Sequence, residues 1–504
     1  MQFANCKTVR GSRNTVTEGL ERASVGSTAT LEMPWHRRRE IGSAGPSFGA
    51  GPDPLGNLDR VSRQSLYGIH ARAGRLDRTE AVGSSPKGKR APTNKSYSEF
   101  YDAFVSIQRG IFTTRDRAQH TRKRKIISHT FSPKSVGQFE TYIHGNLDLF
   151  TQQWDRLIAE ADTADGSAHI DCLKWFNYLA FDIIGDLAFG GPFGMLGRGA
   201  DLAEVRPSPD SPPIYGPAIE ILNRRGEVSA TLGCLPQLQP WASYLPDPFF
   251  SRGLSAVKSL AGIAIARVKN RLENPPAVER LDVLARLMQG KDDKGEPLGR
   301  EELTAEVLTQ LIAGSDTTSN SSCAVLYYVC RTPGCLSKLQ AELDAALPLG
   351  ERVPTYDAVR DLPYLGAVIH ETLRIHCTSG IGLPRLIPAG SPGVTLKGRH
   401  FPAGTVLSVP TYSVHHSREI WGEDADDFVP QRWERLTPRQ KNAFIPFSYG
   451  PRACVGRNVA EMEMKLIVAS WARRYDVYLR QDHMDTREGF LRKPLALEIG
   501  MRRR

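Results

Sequence analysis

The sequence predicts a mainly α protein with a minor β portion. Stretches of helical length, amphipathic or densely apolar, recur along the chain, and Glu301 to Cys330 is the longest of them. Strand-like pieces are short and punctuated by glycine and proline, chiefly between Gly393 and Val409. No internal repeat is present that would indicate a solenoid or propeller.

Ordered elements are expected from about Ser96, with Phe100, Phe104 and Ile107 on one short helical face. A basic helix follows from Arg117 to Ile127, and Phe131-Ser132-Pro133-Lys134 marks its end and a new start. Further helices are expected over Gly137–Ala159 and Cys172–Phe189, the second apolar enough to be buried all round. Pro207 to Pro213 is a connection, and Ile214–Ala230 and Leu254–Leu272 read as helical. After the polar turn Lys291–Gly295 come Glu301–Cys330, Leu336–Ala346 and Tyr364–Ile375, and near the C-terminus Val459–Ala472. Thr405-Val406-Leu407-Ser408-Val409 is the best strand signal.

The 504 residues are 40% apolar and 24% charged, values of an ordinary globular chain. A formal charge of +10 suits an acidic partner or an anionic surface. Nucleic acid is not an expected partner, because no aromatic-interleaved basic stretch or reader motif occurs. The eight cysteines show neither a disulfide framework nor zinc spacing, so one functional cysteine in a reducing compartment is expected. No run of about twenty apolar residues is found. Residues 1–92, rich in Gly, Ser, Arg and Pro, are too poor in apolar periodicity to build a core and are expected to be disordered.

The chemistry concentrates near the C-terminus. Phe447-Ser448-Tyr449-Gly450-Pro451-Arg452-Ala453-Cys454-Val455-Gly456 reads F-x-x-G-x-R-x-C-x-G. It describes a cysteine on a loop running into a helix, whose N-terminal N–H groups stabilise negative charge on sulfur. Gly450 and Gly456 leave room for backbone to approach a flat group, and Arg452 is a cation two residues from the thiolate. The loop resembles that of the cytochrome P450 haem-thiolate monooxygenases. The resemblance implies haem b, with Cys454 as axial ligand and Phe447, Gly450, Arg452 and Gly456 around the cofactor.

In the long helix, Ala313-Gly314-Ser315-Asp316-Thr317-Thr318 interrupts an apolar stretch, and Gly314 costs about 1 kcal/mol of helix propensity. A kink with a satisfied Ser/Thr cluster accounts for it, and so does a flat ligand or a water-holding bulge. The resemblance makes it the oxygen-activating segment, with Asp316 and Thr317 delivering protons. Glu371-Thr372-Leu373-Arg374 places opposite charges three apart on one helix face. With Arg432 of Asp427–Trp433, the resemblance makes Glu371 and Arg374 the structural triad that locks the cysteine segment. His120 and Arg124 share one side of the basic helix. By resemblance they reach the haem propionates together with Arg452, leaving Arg122, Lys123 and Lys125 to form an outward basic patch with Arg457 and Lys465.

From Ser96 onward the motifs stand in the family's order, and Ser98–Ile107, Thr113–Arg117, Lys174–Leu187 and Leu373–His376 look like the fungal benzoate 4-monooxygenase group. That implies a haem domain over residues 93–504, O2 as oxidant and a small aromatic acid substrate. No flavin, iron–sulfur or dinucleotide module is recognisable, so NADPH–cytochrome P450 reductase is the implied electron donor. It also implies the cytosolic face of the endoplasmic reticulum, although residues 1–92 do not resemble the group's membrane anchor. A haem-thiolate protein without oxygen chemistry (an isomerase, a dehydratase or an inactive relative) is the alternative, and the Asp316–Thr317 pair argues against it. Burying a carboxylate requires donors. Arg109, Thr378 and Ser379 are the candidates for that role, with Phe104, Phe112 and Leu383 as apolar wall.

Overall fold

The computed structural model describes residues 96–504 apart from 207–209, 277–278, 349 and 397. The expectation for residues 1–92 lies outside the described residues. Helix dominates. The longer helices, numbered in chain order, are α1 (Arg117–Thr130), α2 (Glu140–Ala159), α3 (Cys172–Phe189), α4 (Ala218–Cys234), α5 (Pro248–Glu273), α6 (Arg300–Arg331), α7 (Cys335–Ala346), α8 (Pro363–Ile375) and α9 (Arg457–Arg474). A 3-10 turn, Glu99–Phe104, precedes α1.

The strands are short: β1 (Ser96–Tyr97), β2 (Ala168–Asp171), β3 (Ala203–Val205), β4 (Ile214–Gly216), β5 (Arg385–Leu386), β6 (Val394–Leu396), β7 (Arg399–Phe401), β8 (Val406–Leu407), β9 (Tyr475–Leu479), β10 (Thr486–Arg487), β11 (Lys493–Pro494) and β12 (Glu498–Arg503). One three-stranded sheet has the order β1-β5-β8 and another β2-β12-β9, and three two-stranded ribbons complete the β portion. All pairs are antiparallel; in the second sheet Ile499 stands opposite both Leu479 and Ile170.

Local chemistry explains the boundaries. Asp116 caps α1 by accepting the Gln119 N–H at 2.8 Å, and Asp171 caps α3 by accepting that of Leu173 at 3.2 Å. Gly190 ends α3 in the left-handed region at φ 82°. One expectation needs correction. Ile214–Gly216 is a strand paired with β3, and the helix begins only after Pro217. Proline supplies no N–H and clashes with a preceding helical turn, so the helix cannot run through it.

The main core is a cluster to which all nine of these helices contribute, with Phe150, Trp154, Phe176, Leu311, Leu326, Leu365 and Trp471 among its buried side chains, and smaller clusters lie beside it. α6 is the axis of the fold and packs against α3, α5, α8 and α9. Its acidic first turn (Glu301, Glu302) and basic last turn (Arg331) complement the helix dipole. Among the described residues, α5 is the one helix long and apolar enough to cross a membrane. Its apolar face (Leu260, Ile263, Ala264, Val268) is instead buried in the core.

Candidate functional site

A cavity of about 1130 Å³ lies between the cysteine loop and the middle of α6. On one side are Phe447, Cys454, Val455 and Gly456; on the other are Ala313, Gly314, Asp316 and Thr317.

The loop is shaped by its own backbone. Ser448 donates its N–H to the Ile445 carbonyl at 2.9 Å, Ala453 to Gly450 at 3.0 Å, and Cys454 to Phe447 at 2.8 Å. Gly450 sits at φ 80°, so the turn itself demands glycine there. Gly456 has an ordinary φ of −83°, and a Cβ built on it would meet nothing within 4 Å. Its small size therefore serves the open space beside it. Cys454 is exposed to the open cavity, yet the protein packed around it pushes its thiol up; the Gly456 N–H, Arg124 and Arg457 oppose that push.

Across the cavity α6 continues as regular α-helix through residues 313–318, without a bulge. The Thr317 hydroxyl donates to the Ala313 carbonyl at 2.7 Å, and Ser315 to Leu311 at 2.8 Å. Gly314 has a packing reason: an added Cβ would come within 2.9 Å of Ile184 on α3. Asp316 is buried and ion-paired with Lys493 of β11, which also donates to Asn223 of α4. Thr318 donates at 3.0 Å to Glu463 on α9, a buried acid whose surroundings raise its pKa to about 7.

One edge of the cavity is basic. His120 and Arg124 from α1, Arg452 from the loop and Arg385 from β5 all line it. Arg124 donates to the Ala453 carbonyl at 2.6 Å, and Arg452 to that of Thr114 at 2.8 Å. His120 stays neutral, its pKa held down to about 3 by burial and then by Arg452, Arg124 and Arg385.

Behind the loop, Glu371, Arg374 and Arg432 form a closed, buried network. Arg374 donates to both oxygens of Glu371, at 2.8 and 2.9 Å, and Arg432 adds a bond at 2.8 Å. The Val429 N–H at 3.0 Å and the Trp433 indole at 2.9 Å complete the carboxylate's shell. The remaining guanidinium N–H groups of Arg374 go to the carbonyls of His415, Ala425 and Asp427. Such satisfaction is what makes a fully buried ion pair tolerable.

The cytochrome P450 family model matches residues 86–501. The chain belongs to the cytochrome P450 family. It is 63% identical over 413 residues to "Benzoate 4-monooxygenase bphA" of Aspergillus niger, covering 81% of this chain and 80% of that protein. It is also 32% identical over 418 residues to the "Cytochrome P450 monooxygenase astJ" of Aspergillus oryzae, covering 81% of this chain and 78% of the relative.

The cofactor of a P450 is haem held by a cysteine thiolate, and the residues present fit it. Cys454 lines the cavity from the loop just ahead of the α9 N-terminus, open space lies beside Gly456, and basic residues line one edge, a chemistry that would suit anionic propionates. His120, Arg124, Arg385 and Arg452 are the residues that would hold the propionates.

Phe104, Phe112, Leu383, Thr378 and Ser379 all line the cavity. Thr378 Oγ1 already shares a hydrogen bond with Ser321 Oγ at 3.2 Å. Arg109 does not belong there. It pairs with Asp102 at 2.7 Å and donates to the Thr113 carbonyl, and it is absent from the cavity lining. Asp102, seven positions upstream on the 3-10 turn, supplies the counter-charge and draws it away.

The outward basic patch also needs correction. Lys123 is buried and paired with Glu302 and Glu306 of α6. Arg122 pairs with Glu302, Lys125 with Asp293 at 2.5 Å, and Arg457 with Glu461 at 2.8 Å. Lys465 is tied to the Arg360 carbonyl. Sequence reasoning missed Arg225, Arg385, Glu463, Phe490 and Lys493, all of which line the cavity. An acid flanked by Met462 and Met464 in a buried helix was the one local signal among them, pointing to Glu463.

Proposed function

We propose that this P450 is a monooxygenase that converts benzoate to 4-hydroxybenzoate. One atom of O2 enters the ring carbon para to the carboxylate and the other leaves as water, with two electrons from NADPH and two protons closing the balance. The observation that carries the chemistry is a cavity with Cys454 on one wall and the Asp316–Thr317 pair on the other. The likeness to the Aspergillus niger benzoate 4-monooxygenase supports the substrate.

Bound haem supplies the reductive activation of O2, which the thiolate ligand favours. The protein's own residues do the rest. Thr317 Oγ1 holds a proton at the cavity face, and Asp316, which also lines the cavity and is ion-paired with Lys493, is the carboxylate that accepts a proton and passes it on to Thr317. Phe104, Phe112 and Leu383 exclude water from around an aromatic ring.

The electron donor in this reading is NADPH–cytochrome P450 reductase, a separate protein, and the location is the cytosolic face of the endoplasmic reticulum. Exposed Leu235, Trp241 and Tyr244 between α4 and α5 support contact with a lipid surface. The test is an optical titration of the purified, haem-loaded protein. Benzoate is expected to give a saturable low-to-high-spin change in haem absorption. A protein that retains haem but shows no change with benzoate would contradict the substrate.

A further inference from the structure

One cation on the α4 side of the cavity lacks a carboxylate ion-pair partner among the described residues. Arg225 projects from α4, lines the cavity and is 5% exposed. Its Nη2 donates to the Phe104 carbonyl at 2.9 Å and reaches Ser106 Oγ at 3.5 Å. Its Nε is buried and makes no hydrogen bond. Among the described residues, no carboxylate forms an ion pair with it.

The neighbouring charges cancel. Lys493 pairs with Asp316, and Arg487 pairs with Glu227, all four lining the same cavity. Arg225 remains as a net positive charge on the α4 side. Burial lowers its pKa to about 10 and Asp316 partly offsets that, so it stays cationic at neutral pH. A buried cation without a counter-ion is costly, and an anion delivered to it removes that cost.

The surroundings specify which anion. The guanidinium lies 5.7 Å from the centroid of the Phe104 ring. Phe104 packs against Phe490 at 4.8 Å and Phe112 at 5.7 Å, giving an aromatic wall beside the charge.

We infer that Arg225 binds the substrate carboxylate, with the aromatic ring of the substrate against Phe104, Phe112 and Phe490. The inference rests on the reading of this P450 as an aromatic-acid hydroxylase and names the residue that recognises the acid. A guanidinium can pair side-on with a carboxylate through two parallel N–H bonds, which fixes direction as well as charge. With that end of the ring held, the para carbon is the end left to react.

The experiment is calorimetric titration of haem-loaded wild type, Arg225→Gln and Arg225→Lys with benzoate and with benzamide, its neutral analogue. Haem occupancy is measured on each sample. Arg225→Gln is expected to weaken benzoate by about 100-fold or more while benzamide changes by no more than about threefold. Arg225→Lys keeps the charge and loses the fork, and a loss of about tenfold is expected for benzoate alone.

Unchanged benzoate affinity in Arg225→Gln would overturn the inference. So would a proportional loss of both ligands, which marks a structural tie to the Phe104 carbonyl. If Arg225→Gln fails to hold haem, Arg225→Lys decides: loss confined to benzoate supports the assignment and equal behaviour of the two ligands refutes it. Wild type that binds a different aromatic acid and not benzoate refutes the substrate reading alone, and the same acid-against-amide comparison then judges Arg225. Wild type that binds benzamide as well as any acid refutes both.

Discussion

His415 accepts the backbone N–H of Ile445 on Nε2 at 3.0 Å. Its other ring nitrogen meets the Arg374 carbonyl at 3.1 Å. A carbonyl oxygen only accepts, so Nδ1 carries the proton and the ring is the neutral Nδ1–H tautomer. From Ile445 the chain of bonds continues through Ser448 N–H to the Ile445 carbonyl and through Cys454 N–H to the Phe447 carbonyl. The buried triad thus reaches the metal-binding cysteine by way of one imidazole.

His415→Phe removes that acceptor and leaves the Ile445 N–H buried without a partner. The expected cost is about 1–3 kcal/mol, with faster haem loss and little change in helix content. Denaturant melts and haem-transfer kinetics check it. Unaltered haem retention would mean that the loop holds its shape without the imidazole.

Glu371→Ala leaves Arg374 buried with no carboxylate partner and Arg432 with Asp424 alone. Breaking a buried pair in this way costs on the order of 3–5 kcal/mol. The variant is expected to accumulate as insoluble or haem-free protein, read from the haem-to-protein absorbance ratio. Full haem incorporation would show that the carbonyl partners of Arg374 suffice.

Thr317→Ala deletes a hydroxyl whose protein partner is the Ala313 carbonyl. Packing and benzoate affinity should change little. Product formed per NADPH oxidised should fall by about tenfold or more, with hydrogen peroxide released instead. Measuring NADPH, peroxide and hydroxylated product in one reaction checks it, and unchanged coupling would remove Thr317 from the proton path.

Glu463 makes stability depend on pH. Burial is the main cause of its rise to about 7, and the Thr318 hydrogen bond partly opposes it. Its folded pKa exceeds its unfolded value, so the neutral acid's contribution is fully present below the ordinary glutamate range. That contribution is lost as pH climbs through 7, because a buried carboxylate must then ionise. Wild type should therefore lose stability from about pH 4.5 to about pH 7, by a few kcal/mol, relative to Glu463→Gln. Parallel melting curves across that range would contradict the assignment.

What was legible in the sequence is what is local in it. The cysteine loop could be read because ligand, turn glycines and following helix are contiguous, and α6 could be read to within a residue at each end because its apolar pattern is long. Interactions across the chain were opaque. Lys123 reads as part of a solvated charge run, and only the packing of α1 on α6 supplies Glu302 and Glu306 to bury it. Arg225 looks like an ordinary helical arginine until Phe104 and Asp316 close around it. The β2-β12-β9 sheet was not anticipated, since Ile170 and Ile499 meet only after the helices are packed.

The most direct test of the central claim is turnover of benzoate by the haem-loaded protein with NADPH–cytochrome P450 reductase, NADPH and oxygen-18 gas, followed by mass analysis of the product. The account predicts 4-hydroxybenzoate carrying one labelled oxygen on the ring. Consumption of NADPH with no hydroxybenzoate, or a hydroxyl at another ring position, would contradict it.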